Sequence, residues 1–380
     1  MRILKIGIDL LWVRPGKVGG TESYIRNLLK GFLKFSEKDV YFVLFVSLDN
    51  AHTFASFGTS DKFSLIKCGV QSRTIARRIF WENTHLDRLA RNVGVDLMFI
   101  PVYSKPKSNG EIPYVVTIHD LQALHFPEYF SRLKRFWLKR SWIKAVRESS
   151  KIVAISDFVK QDITEKLHVD PAKIKVIHNP VVLAGMQADF RILAEKYGIE
   201  SKQYLYTVSS MLPHKNLPVL IKLVAELKKN ADDRFPCRLV ISGIGGTQEK
   251  TLKEMMKEWA VSEDIVVTGF ISDEERDSLY KNAFAFLFPS TFEGFGMPPV
   301  EAIMCGTPVI TTKCASIPEV VGNEAYYVDE SYSVGSWLEK LEELFVADST
   351  LSNLIAERFA IERICNEYLE FFASEIKGVL

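Results

Sequence analysis

AFAFLFPSTFEGFGMPPVEAIMCGTPVITT, residues 283–312, opens on an apolar run, crosses a segment rich in glycine and proline, and closes on a second β-branched run. Residues 283–290 read as a buried strand and STFEGFG as the loop at its carboxyl end. Pro298 and Pro299 suit the first turn of a helix, where a missing N–H costs nothing, and Gly306 suits the stop before TPVITT returns as a strand. A strand, a helix and a second strand in this order form one unit of a parallel α/β sheet. The spacing places the backbone amides of residues 295–300 at a helix N-terminus, which favours an anion such as a diphosphate. It puts Glu301 in the first helical turn, where it can accept hydrogen bonds from a vicinal diol, and Glu293 on the other side of the anion. Spacing alone equally allows Glu301 to be an ordinary N-terminal helix charge and Glu293 a solvated loop acid.

Similar runs recur on both sides of this stretch. In the first half they are ILKIGIDLLWV (3–13), VYFVLFVS (40–47), DLMFIPV (96–102), PYVVTIHD (113–120), KIVAIS (151–156) and KIKVIHN (173–179). The second series comprises QYLYTVSS (203–210), CRLVISG (237–243), DIVVTGF (264–270), AFAFLFPS (283–290), TPVITT (307–312) and AYYVD (325–329). Each series reads as a doubly wound α/β unit, which binds ligands beyond the carboxyl ends of its strands. Ile25, Leu28, Leu29, Phe32 and Leu33 give the helix after the first strand its apolar stripe, with Thr21 as the expected N-cap. We divide the chain into a Rossmann-like domain at 1–182, a second at 183–360, and a helical tail at 361–380 with an apolar stripe of Tyr368, Phe371 and Phe372. That tail has the pattern to pack on either domain.

Composition bounds the function. With 47% hydrophobic and 25% charged residues among 380, the chain has the make-up of a soluble globular protein of two ordinary domains. Cys68, Cys237, Cys305, Cys314 and Cys365 are scattered without metal spacing, which favours a reducing compartment. The N-terminus lacks a signal-peptide pattern and no uncharged run is long enough to cross a bilayer, so a cytoplasmic location is expected. The net charge of +1 hides +12 in residues 1–182 and −11 in 183–380. The first half is therefore expected to meet something anionic. Its focus is SRLKRFWLKRSWIKAVRESSK (131–151), with eight basic residues and one acid among bulky aromatics. Arg135, Trp137, Lys139, Arg140 and Trp142 are expected to contact an anionic membrane surface, and the rival reading is an exposed helix with buried aromatics. Nucleic acid is disfavoured, because no recognised binding motif accompanies the patch.

EGFGMPPVE, from Glu293 to Glu301, resembles the E-G-F-G-x-x-x-x-E signature of the family-4 retaining glycosyltransferases of GT-B fold. AIMCGTPVITTKCASIPEVVGNEAYYVD looks like the continuation of that signature, and the match extends over nearly the whole chain. The resemblance implies two Rossmann-like domains facing across a cleft, with the nucleotide sugar held by the second. It gives Glu301 the ribose diol of the nucleotide and Glu293 the donor sugar beside the reacting carbon. SSMLPHKNL (209–217) is similar to the family's lysine-bearing stretch, so Lys215 is expected on the diphosphate. Many members carry an arginine where this chain has Ser210, and a subgroup has one where this chain has His214, which leaves Lys215 with more of the phosphate charge. Ser210, Phe270, Phe295, Gly296 and Met297 complete the expected donor contacts on that side.

In the first half, GKVGGTESYIRNLL (16–29) places Gly19 and Gly20 between the first strand and its helix. The stretch lacks the G-x-G-x-x-G and distal acid of a redox dinucleotide site. By resemblance this loop contacts the sugar or β-phosphate. VVTIHDLQALHFPE (115–128) ends a strand at His119, which the resemblance puts against the donor sugar near the reacting centre, whereas His125 and His178 are read as structural. The sequence has no Asp-x-Asp at a strand end, so no metal and no other cofactor are expected. HDLxxLxxPE and PxKNL most resemble bacterial mannosyltransferases of O-antigen or capsule assembly. They imply a GDP-mannose or GDP-rhamnose donor, a lipid-linked acceptor and a station on the inner face of the cytoplasmic membrane. A sugar-nucleotide 2-epimerase and a non-catalytic sugar-nucleotide sensor are the alternatives.

Overall fold

β1 (Leu4–Asp9) is followed by α1 (Gly20–Phe35), β2 (Val40–Ser47) and β3 (Phe63–Cys68) in a computed structural model that describes residues 3–17, 19–37, 39–346 and 354–377. A broken helix comes next: α2 (Ile75–Trp81), a π turn at Glu82–Leu86, and α3 (Asp87–Val93). Then come β4 (Leu97–Ile100), β5 (Tyr114–Ile118), the short α4 (Gln122–His125), α5 (Arg132–Glu148), β6 (Lys151–Ala154), α6 (Asp157–Leu167) and β7 (Ile174–Val176). Among the described residues the sheet runs β3-β2-β1-β4-β5-β6-β7, all parallel. Its order reverses between β1 and β4, because β2 and β3 extend one edge and the later strands the other.

β3 has no counterpart among the six runs read from the first half. FSLIKC lies at the sheet edge, buried only at Phe63 and Cys68 and half-buried or exposed between them, so it lacks the continuous apolar run of a central strand. Thr21 is not the cap of α1. Gly19 is, at φ +57, a conformation open to glycine and costly for threonine, and the helix begins at Gly20.

The second unit contains α7 (Phe190–Tyr197), β8 (Leu205–Val208), α8 (Leu217–Asn230), β9 (Leu239–Ser242), α9 (Thr247–Glu258) and β10 (Ile265–Gly269). It continues with α10 (Asp273–Asn282), β11 (Ala285–Phe288), α11 (Met297–Met304), β12 (Val309–Thr312), α12 (Ile317–Val321), β13 (Tyr326–Val328), α13 (Val334–Val346) and α14 (Leu354–Arg358). Its parallel sheet runs β10-β9-β8-β11-β12-β13. The core lies between sheet and helices, where Leu220, Leu223, Val224, Ile241, Leu287 and Trp337 are fully buried. The order reverses between β8 and β11, so the loops after these two strands diverge to opposite faces and leave a crevice at their carboxyl ends.

The units divide at Pro180/Val181, and Phe359–Leu380 belongs with the first. α15 (Ile361–Lys377) lies on α1; residues 378–380 of the expected tail lie outside those described. Tyr368 and Phe372 are fully buried against Phe32 and Phe99, and each such side chain contributes roughly 1.5–3 kcal/mol by leaving water. Tyr368 shares a 2.5 Å hydroxyl hydrogen bond with Tyr24. Gly31 of α1 makes this approach possible, because a Cβ there would collide with Cys365 Sγ.

Candidate active site

The crevice at the carboxyl ends of β8 and β11 gathers most of the expected donor residues. After β8 the chain passes Ser210 and turns through a short 3-10 segment, Pro213–Lys215, closed by Asn216 in the left-handed region. The His214 carbonyl accepts hydrogen bonds from the Thr291 amide at 2.7 Å and from the Ser290 and Thr291 hydroxyls at 3.3 and 3.2 Å. This stitches the loop after β8 to the loop after β11 and brings Lys215 to Glu293. Lys215 Nζ donates to Glu293 Oε1 at 2.6 Å and stands 5.7 Å from the centre of the Phe288 ring. The Glu293 backbone is fixed in turn, its carbonyl accepting from the Ser316 hydroxyl at 2.9 Å.

Lys215 is therefore not waiting alone for phosphate. It is paired with the second expected sugar-binding residue, and the pair is partly shielded, with side chains 22% and 14% exposed. His214 itself is buried, and burial together with the Lys215 charge pushes its imidazole down to about 4. The sign follows: the folded state binds fewer protons than an unfolded chain whose histidine titrates near 6.5, so this contribution is complete above that pH and fades as pH falls towards 4. We expect the thermal midpoint to drop between pH 6.5 and 4 and His214→Gln to make the drop shallower. An unchanged slope in that variant would remove His214 from the account.

α11 corrects two expectations. Its N-cap is Gly296, with Met297 as first residue, so Glu301 is the fifth helical residue and stands in the second turn. Pro298 and Pro299 have no N–H, so the six peptide groups of 295–300 do not supply six donors; among the helical positions the amide of Met297 is the one that faces outward before the ladder begins. Glu301 is held by side chains the sequence reading passed over. Oε2 accepts from the Tyr280 hydroxyl at 3.1 Å and Oε1 lies 3.5 Å from Arg276. Arg276 also reaches Asp277, which is fully buried, at 2.7 Å and Asp273 at 2.8 Å. Burial raises the Glu301 carboxyl, opposed by Arg276 and Tyr280, and the surrounding acids hold the Arg276 guanidinium firmly charged.

These partners sit on α10, which begins in a Ser272–Glu275 capping box. The S-x-x-E pattern marks the helix start, and Arg276 and Tyr280 follow on one face at i and i+4. That signal was available, but DEERD reads as a solvated acidic run until the fold turns it towards α11. Phe270, at the end of β10, is 79% exposed, and its ring crosses so close to Gly245 that a Cβ there would come within 3.1 Å.

In the first unit His119 lies beyond the end of β5. Its Nε2 is 2.9 Å from the Pro101 carbonyl, an acceptor, so Nε2 carries the proton and Nδ1 is left with a lone pair. Burial pushes the ring down to about 4, so it is neutral near pH 7, and Tyr24 packs edge-on at 4.9 Å. Gly19 and Gly20 form the entry of α1. His125 is bonded to Asp162 at 2.8 Å and His178 packs edge-on against Phe359, both structural arrangements.

The basic helix α5 corrects the membrane-contact set. Trp142 is 2% exposed and packs edge-on against Tyr103, so it belongs to the core and not to a membrane face. Arg135 turns partly inward on the same side, with its Nε buried. Trp137, Lys139 and Arg140 are exposed, and Leu133, Phe136 and Ile143 join them at 79, 61 and 42% exposure. The helical period explains the split: Leu138, Trp142, Ala145 and Val146 share the inward stripe. No helix among the described residues is long and apolar enough to cross a membrane.

Residues 18–184 match the family model Glycosyltransferase Family 4, and residues 189–358 match Glycosyl transferases group 1. An O-antigen chain mannosyltransferase RfbU of Salmonella typhimurium is 31% identical over 63% of this chain and 64% of its own length. An O-antigen chain mannosyltransferase B of Escherichia coli is 28% identical over 57% of each chain. The matched stretch thus spans less than two thirds of these curated relatives. Among solved structures, HepE of Anabaena in complex with UDP-glucose superposes with a TM-score of 0.73 at 18% identity, over 98% of this chain and all of that one. WaaG, a glycosyltransferase involved in lipopolysaccharide biosynthesis, gives 0.65 at 16% identity over 98% of both.

Proposed function

The chain belongs to the glycosyltransferases of GT-B fold, and from that premise we propose that it moves a hexose, with retention, from a nucleoside-diphosphate donor to a lipid-linked saccharide. Mannose is the favoured sugar, or a related GDP-linked sugar such as rhamnose. The observation that carries the reading is the Lys215–Glu293 pair in the crevice between β8 and β11, with Glu301 eight residues on. A nucleoside diphosphate sugar offers that crevice an anion for Lys215, sugar hydroxyls for Glu293 and a ribose diol for Glu301.

When the diphosphate binds, Lys215 exchanges Glu293 for phosphate oxygens and stabilises the charge that develops as the glycosidic C–O bond breaks. Glu293 then accepts from the sugar beside the reacting carbon. The leaving diphosphate takes the proton of the acceptor hydroxyl, which attacks on the same face. No metal ion is required in this scheme, since Lys215 and the entry of α11 take the charge. The mannosyl assignment is supported by what the relatives are named for, and a UDP-bound neighbour makes the base a question for experiment.

A thermal-shift panel of GDP, UDP, ADP and dTDP answers it, because a ligand that binds the folded state raises the midpoint by an amount that grows with the logarithm of its affinity. We expect GDP alone to give a large shift, unchanged by EDTA. A shift specific to UDP would overturn the mannosyl reading. The exposed stripe of Leu133, Phe136, Trp137 and Arg140 is proposed to rest on the inner face of an anionic membrane. Liposome flotation is expected to carry the protein upward with anionic vesicles and to lose it in Phe136→Ser/Arg140→Ser, whereas equal flotation with neutral vesicles counts against that placement.

A further inference from the structure

The first unit holds a cavity of about 760 Å³, a volume within the range of ligand pockets, between α5, the loop at 104–107 and the start of the π turn. Five cations line it, Lys105, Lys107, Arg140, Lys144 and Arg147, against one carboxylate, Glu148. Arg147 pairs with Glu148 at 3.3 Å, and among the described residues the other four have no salt bridge.

One of these cations is buried and a second half-buried. Lys105 is 5% exposed; its Nζ donates to the Pro106 carbonyl and the Ser108 hydroxyl, both at 3.0 Å, and lies 4.5 Å over the Tyr114 ring. Lys144 Nζ donates to Asn83 Oδ1 at 3.0 Å. Each ammonium has three donors, so one remains on Lys105 and two on Lys144. Burial pushes Lys105 down to about 8 and Lys144 in the same direction; Glu148 opposes the fall in both, and a neighbouring lysine adds to it by less. Sheltered cations held only by neutral partners are costly, and an anion between them would remove that cost. Asn83 also accepts from the Lys107 amide at 2.9 Å, so one residue of the π turn ties the loop and the helix together. Extra turns of this kind in a helix often mark functional positions.

Apart from Asn83, Ser104 and Ser141, the rest of the lining is apolar. Leu133, Phe136, Trp137, Ile143 and Ile79 form it, the first four of them well exposed. A free phosphate would use the cations and leave these side chains in water. A monoanionic phospholipid head would leave most of the excess positive charge unanswered.

We propose that this cavity binds the diphosphate and the first apolar units of a lipid diphosphate carrier, the two phosphates between Lys105, Lys107 and Lys144 and the chain along Phe136, Trp137 and Leu133. The proposal deepens the function above by assigning a site and a linkage to the acceptor, and it rests on that acceptor being lipid-linked.

Isothermal titration of the full chain with farnesyl diphosphate, farnesol and inorganic diphosphate tests it without any sugar donor, so a wrong donor assignment does not change the readout. Farnesyl diphosphate is expected to bind one per chain, at least tenfold tighter than either of the other two. Lys144→Met is expected to weaken it about tenfold and Phe136→Ser about fivefold, with GDP affinity and thermal midpoint unchanged. Lys105→Met is the stronger variant where it folds, and Lys144→Met keeps the test open where it does not. Inorganic diphosphate binding as tightly as farnesyl diphosphate, or unaltered affinity in both Lys144→Met and Phe136→Ser, overturns the proposal.

Discussion

Glu293→Gln is expected to lower the rate of sugar transfer about 10²–10³-fold while GDP affinity holds or improves. The size is that of removing one electrostatic contact aimed at a developing charge. The direction of the affinity change comes from the pair itself: Lys215 Nζ sits 2.6 Å from the Glu293 carboxylate, so a diphosphate competes with that carboxylate for the ammonium. Glutamine keeps the shape and weakens the competitor. Steady-state kinetics with GDP-mannose, alongside titration of GDP, separate the two effects. A variant that lost GDP affinity in step with rate would show that Glu293 grips the nucleotide, and the division of roles between Glu293 and Glu301 would fail.

Arg276→Met is expected to be the most destabilising single change in the second unit. It removes the partner of Asp277, which is fully buried, and of Glu301 together. Breaking a buried ion pair from one side costs about 3–5 kcal/mol. For a unit of this size that corresponds to a fall of roughly 10 °C in the thermal midpoint. Glu301→Gln should behave differently, because glutamine can still accept from Tyr280 at no charge cost. Its midpoint should move little, while GDP binds about 10–100-fold more weakly through the loss of charge-assisted hydrogen bonds to the ribose. If Arg276→Met and Glu301→Gln shifted both quantities equally, the guanidinium would have to be assigned to ligand binding and not to support of the carboxylate.

The two parallel sheets were legible in the chain because buried parallel strands are continuous β-branched runs, and the runs at 40–47 and 283–290 can be little else. β3 was not, since an edge strand is only partly buried, and FSLIKC, with serine and lysine among its apolar residues, looks like many loops. The acids of EGFGMPPVE and Lys215 were legible through their motifs, but their relation was not: seventy-eight positions separate Lys215 from Glu293, and the His214 carbonyl that joins their loops is a backbone group with no sequence signal. Trp142 was misread because aromatic residues among cations look alike whichever way they point, and only the phase of α5 on the sheet turned Trp142 inward and Phe136 outward.

By itself the sequence determined the family and the α/β architecture, because these depend on local patterns of burial period, turn residues and spacing. Tertiary structure alone decided what the charged groups meet: Lys215 with Glu293, Glu301 with Arg276 and Tyr280, and five cations around one cavity beneath α5. Charges interact through distances of a few ångströms, and such distances between remote residues exist only after the chain has packed.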